Sequence, residues 1–353
     1  MLERKRTRGA GKYVRLSLLI VFVGLMISVI VVFKKYQNVF SSNVKLEEGH
    51  VFLYIPTGSS YEDILAQIDK MDFLVEKKSF EWVVKKKEYA GNVKPGRYRI
   101  EDGMSNNELV NLLRAGNQEP VMVVFNNHRT LEQLAGKVAK YLESDSVRLL
   151  KHITDPALPG KYGFTMETFK AMFIPNTYEM YWTASPEDFT DRMAREYENF
   201  WEKRDKKLDR LDLTREEVST LASIVDEETL VDEENRRVAG VYINRIKLGM
   251  PLQSCPTLKY ALDDWTITRV LFEYKQVESP YNTYKHKGLP PGPIIIPSVS
   301  AIDGVLDYEK HNYLYMCAKA DFSGTHAFAR NLKQHNRNAA EYQRELDKRG
   351  IFR

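Results

Sequence analysis

Hydrophobic and polar positions fall into three regimes along the chain. Residues 16–33 (LSLLIVFVGLMISVIVVF) hold no ionisable side chain. At about 1.5 Å per residue this helix is about 27 Å long, against a hydrocarbon core of roughly 30 Å, so it can span a bilayer. A secretory signal has a shorter apolar core followed by a small-x-small cleavage site. Here Lys34, Lys35, Tyr36 and Gln37 follow instead, which reads as an uncleaved transmembrane anchor. Residues 34–44 are polar and mixed, suited to a short stalk.

The second regime repeats an apolar run followed by a capping box. VFLYI (51–55) precedes Ser59-x-x-Glu62 and a helical period through Ile64, Leu65 and Ile68. GRYRI (96–100) precedes Ser105-x-x-Glu108 with Leu109, Leu112 and Leu113, and VMVVF (121–125) precedes Thr130-x-x-Gln133 with Leu131, Leu134, Val138 and Leu142. Each hydroxyl can accept from the third helical N–H while the acid or amide reaches back, so each strand runs through a short loop into a helix. With another helical stretch at 80–87, residues 45–118 are predicted to form a small strand–helix–helix–strand module. The third regime, 119–353, is mainly helical. It has capping boxes at Ser185 and Asp188, with Pro186 at the first helical position, and at Thr214 and Glu217. A Pro-rich stretch at 279–297 (SPYNTYKHKGLPPGPIIIP) interrupts the helices, and its aromatic and aliphatic content argues for an ordered, functional loop. The class is α+β.

Charge sharpens this layout. The 353 residues carry 52 Lys+Arg and 48 Asp+Glu, a net +4. Residues 1–15 set six basic side chains against Glu3, which leaves the rest of the chain at −1. A neutral body lacks the concentrated cationic surface that nucleic acid requires, so no nucleic-acid partner is expected. Six basic residues before the span and two after it place the N-terminus in the cytoplasm and the body outside the cytoplasmic (inner) membrane.

The sequence also excludes several chemistries. Cys255 and Cys317 are too few for a disulfide framework and read as two unpaired thiols, although an oxidising compartment would let them pair. The seven histidines include no HExxH spacing, so neither a metal nor another cofactor is expected. GxSxG, GxxxxGK[ST] and GxGxxG are absent, which removes the usual signatures of serine hydrolases, nucleotidases and dinucleotide enzymes.

The helix at 215–229 (REEVSTLASIVDEET) carries the candidate chemistry. At 100° per residue Val218, Leu221, Ala222, Ile224 and Val225 form one apolar arc. Ser219, Thr220, Ser223, Asp226 and Glu227 fall on a polar side expected to be solvated. Glu228 lies between Ile224 and Leu221, an acid in the apolar stripe. Desolvation there would raise its pKa and keep a proton ready for a glycosidic oxygen. If the helix instead frays after Val225, Glu228 faces water. Glycosidases ordinarily use two carboxylates, and no second acid here has equal credentials: Asp226 is off the face, and Asp232, Glu233 and Glu234 begin the next helix.

The segments LASIVDEETLVDEENRRVAGVYINRIKLGMPLQSCPTLKYAL (221–262), SPYNTY (279–284), GLPPGPI (288–294) and GTHAFARNLKQHN (324–336) resemble the endolytic murein transglycosylase (MltG, YceG-like) family. The resemblance covers nearly the whole chain. It implies a LysM-like module at 45–118, a lytic-transglycosylase-like catalytic domain at 119–353, and Glu228, the acid directly before a threonine, as the catalytic residue. It further implies cleavage of the β-1,4 bond between N-acetylmuramic acid and N-acetylglucosamine within peptidoglycan glycan strands, giving 1,6-anhydro ends. Peptidoglycan synthases of the growing wall are the implied companions.

Gln253, Ser254 and Thr257 follow the helix at 236–248 and can line a groove beside Glu228; Asn282 and Tyr284 can do likewise from the Pro-rich loop. Each also fits ordinary loop or core structure, and Tyr178 reads as core. The chain departs from the family pattern at Asp226-Glu227, where Glu-Lys is more usual and little effect is expected. Cys255 stands at a position that is commonly Asp, and residues 295–298 replace an Ala-Asn-Pro-Gly run. A catalytically silent wall-binding scaffold and a lysozyme-like hydrolase are the competing readings.

Overall fold

The structure is a computed structural model describing residues 10–267 and 270–350; residues 1–9 of the basic tail lie outside the described residues. The chain divides into two compact units, one running up to Val121 and including Tyr181–Thr183, the other comprising Met122–Met180 and the chain from Ala184 onward.

The first unit opens with α1 (Ala10–Phe40). Tyr13–Phe40 is long and apolar enough to cross a membrane by length and composition, and none of its apolar window is buried, unlike a globular core helix. Within the expected stalk at 34–44, α1 continues to Phe40 and the chain after it is pinned. Asn43 is buried, donating to Asn106 Oδ1 at 2.7 Å and Glu76 O at 3.0 Å and accepting from Glu76 N at 2.8 Å. Asn106 in turn donates to Asn38 O at 2.8 Å. Paired amides of this kind can be buried because their hydrogen bonds are made within the protein.

β1 (His50–Ile55), α2 (Tyr61–Met71), α3 (Lys77–Lys86), β2 (Gly96–Glu101) and α4 (Asn106–Ala115) complete the unit in the predicted order. β1 and β2 pair antiparallel, with Leu53 opposite Tyr98 and Val51 opposite Ile100. Leu53, Ile55, Tyr98 and Ile100 pack with Ile64, Ile68, Val83 and Leu109 in one core. The capping box of α2 sits one residue later than expected, on Ser60 and Asp63. The Ser59 N–H closes the turn from Pro56, with Gly58 at φ +84°, so the cap passes to Ser60.

The second unit contains, in order, β3 (Val121–Phe125), α5 (Leu131–Val138), α6 (Ser146–Ile153), the short α7 (Leu158–Lys161), β4 (Asn176–Met180), α8 (Pro186–Glu202), the short α9 (Asp205–Leu208), α10 (Arg215–Glu228), α11 (Asn235–Lys247), α12 (Cys255–Ala261), α13 (Val299–Leu306), the hairpin β5 (Tyr315–Ala318) with β6 (His326–Ala329), and α14 (Leu332–Lys348). β3 pairs with β4, and Tyr178 is buried in the core as expected.

The expected apolar arc of α10 is fully buried, but so are Ser219, Thr220 and Ser223. The solvated face is therefore corrected to a second packed face. α11, α12 and α13 surround the helix, and its hydroxyls are satisfied locally: Ser219 donates to Arg215 O at 2.9 Å and Thr220 to Glu216 O at 2.7 Å. Such back-bonding lets small polar side chains enter a core without orphaned donors.

Candidate active site

α10 ends on Glu228, and Thr229 leaves in extended conformation (φ −131°, ψ 136°). The Glu228 carboxylate, half-buried, enters a cavity of about 460 Å³, a size within the roughly 300–1,000 Å³ of ligand sites. Its surroundings differ from the aliphatic stripe expected. Oε1 accepts from Tyr242 Oη at 2.6 Å and Ser254 Oγ at 2.8 Å, while Oε2 has no protein partner among the described residues. Tyr242 projects from α11, one turn before Arg245, and Ser254 occupies the N-cap position of α12. An N-cap hydroxyl ordinarily accepts from the first turn of its own helix; that of Ser254 makes no such bond and turns to the carboxylate.

The neighbouring groups keep their protons. Burial, and after it the Glu228 charge, pushes the Tyr242 hydroxyl well above its usual range. The same two causes raise the Cys255 thiol. Burial followed by Cys255 raises Tyr284. Among the described residues, Glu228 is the one carboxylate lining this cavity.

The predicted binding residues separate into two groups. Ser254 touches Glu228, and Gln253 and Tyr284 line the cavity. Thr257 and Asn282 are fully buried and do not line the cavity. Thr257 donates to Ser254 O at 2.9 Å and lies 2.8 Å from Thr283 Oγ1. Asn282 donates to Lys275 O and Val277 O and accepts from the Tyr284 N–H. Together they hold the turn and the loop that carry Ser254 and Tyr284. Gln253 adopts φ +53°, a left-handed conformation that costs a non-glycine residue roughly 1 kcal/mol or more. Its N–H bonds Thr283 O at 3.0 Å, which fixes the turn despite that cost.

Tyr242, Arg245, Lys275, His326 and His335 also line the cavity and were not singled out from the sequence. Tyr242 and Arg245 share one helical face with the buried Val238 and Val241, the same periodic signal that pointed to Glu228. The two histidines come from the hairpin and α14, and no local spacing connects them. Cys255 and Cys317 both reach the cavity as free thiols, in accord with the unpaired reading. Cys255 Sγ lies 3.4 Å from the Tyr284 hydroxyl.

Asp226 and Glu227, expected to be solvated, instead fasten the end of α10. Asp226 accepts from Ser298 N at 2.9 Å, Ser298 Oγ at 2.8 Å and Asn127 Nδ2 at 3.3 Å, and burial raises its pKa. Glu227 takes a bidentate pair from Arg129 at 2.9 and 3.0 Å, and the Arg129 guanidinium lies 4.5 Å from the Trp265 ring centre. Both acids are occupied by protein partners, whereas Glu228 Oε2 is open. Ile295 and Ile296, in the divergent run, are buried core residues.

The YceG-like family model matches residues 53–341. The chain is 28% identical over 308 residues to a protein of Bacillus subtilis (strain 168) named endolytic murein transglycosylase, covering 83% of this chain and 84% of that one. It is 27% identical over 341 residues to a Streptococcus pneumoniae (serotype 2, strain D39) protein of the same name, covering 87% of this chain and 61% of that longer relative. A crystal structure of a yceG-like protein from Listeria monocytogenes aligns with a TM-score of 0.55 at 27% identity, over 82% of this chain and 98% of that one.

Proposed function

The chain belongs to the YceG-like family, and from that premise we propose that it is a membrane-anchored endolytic peptidoglycan transglycosylase with Glu228 as its catalytic acid and base. The observation that carries the reading is a single open carboxylate on the cavity wall, with one oxygen held by two hydroxyls and the other free. Curated relatives named endolytic murein transglycosylase support the substrate class.

Glu228 protonates the glycosidic oxygen from Oε2 as the bond from the muramoyl C1 breaks. The resulting carboxylate then takes the proton of the muramoyl C6 hydroxyl, whose oxygen closes on C1 to form the 1,6-anhydro end. Proton and bonds balance with one protein group because the nucleophile belongs to the substrate, so the two-carboxylate arrangement of ordinary glycosidases is not required. Tyr242 and Ser254 hold Oε1 in place through both half-steps. Gln253 and Tyr284 line the bound sugars, and residues 45–118 act as a LysM-like module that holds the strand. The apolar helix anchors the chain with its N-terminus in the cytoplasm and its body outside, beside the synthases that supply nascent strands.

The test is mass spectrometry of muropeptides after purified glycan strands are treated with the full-length protein in detergent. Anhydro-muramoyl ends with the native protein, and none with Glu228→Gln, are expected. Reducing muramoyl ends alone would make it a hydrolase, no product at all would make it a wall-binding scaffold, and equal product from the Glu228→Gln variant would remove Glu228 from the chemistry.

A further inference from the structure

Arg245 is an unusual cation for a folded domain. It is only 7% exposed and lines the Glu228 cavity, yet among the described residues no carboxylate pairs with it. Its guanidinium donates only to neutral oxygens: Nε to Leu314 O at 2.6 Å, and Nη1 to Leu252 O at 2.7 Å, Pro251 O at 3.3 Å and Gln253 Oε1 at 3.4 Å. Nη2 has no partner among the described residues. A buried charge left unpaired is costly, and a guanidinium with an open N–H edge is shaped for a carboxylate or phosphate.

A second cation points the same way. Lys275 lines the cavity, 5.0 Å from the Tyr284 ring centre, and makes no salt bridge among the described residues. The histidines do not share this role. Burial and the nearby Arg245 lower the His335 pKa, leaving it neutral at pH 7, and the Nδ1 of His326 is committed to the buried Glu234 at 2.8 Å. The acid on the cavity wall, Glu228, is engaged on Oε1 by two hydroxyls. The Arg245 guanidinium also lies 5.1 Å from the Tyr315 ring centre, so the cavity combines one catalytic carboxylate with two cations that face aromatic rings and pair with no carboxylate among the described residues.

Resting on the reading that the substrate is a glycan strand, we propose that Arg245 and Lys275 form a receptor for a carboxylate of that substrate. N-acetylglucosamine carries none. Two sources remain: the lactyl carboxyl of a muramoyl residue without a peptide, and the carboxyls of an attached stem peptide. The receptor selects muramoyl-bearing strands over uncharged N-acetylglucosamine polymers and fixes which sugar sits over Glu228.

The test uses full-length Glu228→Gln protein in detergent, which binds without cleaving, and fluorescently end-labelled strands in two pairs: stem-free strands and stem-bearing strands, each with carboxylates free or amidated. In at least one pair the free-carboxylate strand should bind about tenfold more tightly than its amidated counterpart, with the preference shrinking as salt rises. The pair showing the preference identifies the source. Lys275→Met, which touches no backbone bond made by Arg245, and Arg245→Lys, which keeps the charge but loses the fork, should each reduce the preference to about threefold or less. Equal binding within both pairs, or a preference that survives both substitutions, overturns the inference. Carboxylate-blind binding by a native protein that still yields anhydro ends overturns this inference alone, whereas absence of binding to every strand overturns the functional reading with it.

Discussion

At the scale of single residues, the Glu228 carboxylate is organised by its donors. Tyr242 lies in a fully packed position and contributes only its hydroxyl to the site. Tyr242→Phe should therefore keep the fold and strand affinity while lowering kcat about 10- to 100-fold, the usual effect of losing a group that positions an acid or base. Steady-state turnover, and strand binding measured in the Glu228→Gln background, separate the two effects. Lys170 offers an independent reading of burial. It sits against Tyr260 and donates to Ile294 O at 3.2 Å, and desolvation lowers its pKa to about 8. Between about pH 8 and the ordinary lysine value the unfolded chain holds a proton that the folded chain has released. Stability from this group thus rises with pH across that window, and the penalty for burying the charge is fully present below it. Lys170→Met should raise stability by roughly 1–3 kcal/mol at pH 7, with the advantage disappearing near pH 10; denaturant midpoints at both pH values measure it. A periodic break singles Glu228 out in the sequence, although the structure surrounds its carboxylate with hydroxyls and not with the aliphatic stripe that the break implies. Ser254, expected to line a groove, is fully buried behind the carboxylate, and its diversion from capping was not legible, since that depends on a carboxylate 26 residues away. Arg245 was open to the same helical-wheel argument as Glu228, whereas Lys275 and His326 reach the cavity only through long-range packing.

At the scale of elements, capping chemistry and periodicity predicted α10 and α11, whose signals are local and lie within one turn, whereas the short α12 was read as a turn and α13 and α14 were not predicted. Ser105, Ser185 and Thr214 form the expected capping boxes. The other failures concern what packs on each helix. α10 reads as amphipathic, yet it is enclosed on both faces, and Asp226 and Glu227 bind partners about seventy and about a hundred positions away in sequence. The contact of α13 with α11 was equally invisible. A Cβ placed on Gly304 would sit 2.7 Å from the Asn235 Cβ, so only glycine allows the two helices this approach. Gly304→Ala should destabilise the protein by roughly 1–3 kcal/mol and, by displacing the helix that carries Tyr242 and Arg245, reduce turnover as well. Thermal denaturation and muropeptide yield report the two losses. Unchanged stability would show that α13 can yield without cost.

At the scale of the whole molecule, the net +4 resolves into a strongly basic first fifteen residues and a nearly neutral remainder. The apolar helix between them passes the length and hydropathy requirements of a bilayer span and is exposed along its apolar window. Charge asymmetry across that helix, six basic residues before it against Lys34 and Lys35 after it, sets the proposed orientation. A transglycosylase needs this orientation, because its polymeric substrate lies outside the cytoplasmic membrane. Protease added to intact spheroplasts should therefore degrade everything beyond the helix and leave a short membrane-protected fragment, detected with an N-terminal epitope tag. Replacing Arg4, Lys5, Arg6 and Arg8 by Gln would leave Lys12 and Arg15 before the span, equal to the pair after it, and should send a measurable share of chains into the inverted orientation. Those chains would resist external protease until the cells are lysed and would contribute no anhydro ends to the wall. Complete protection of the native body in intact spheroplasts would place it on the cytoplasmic side, where Glu228 could not reach a glycan strand.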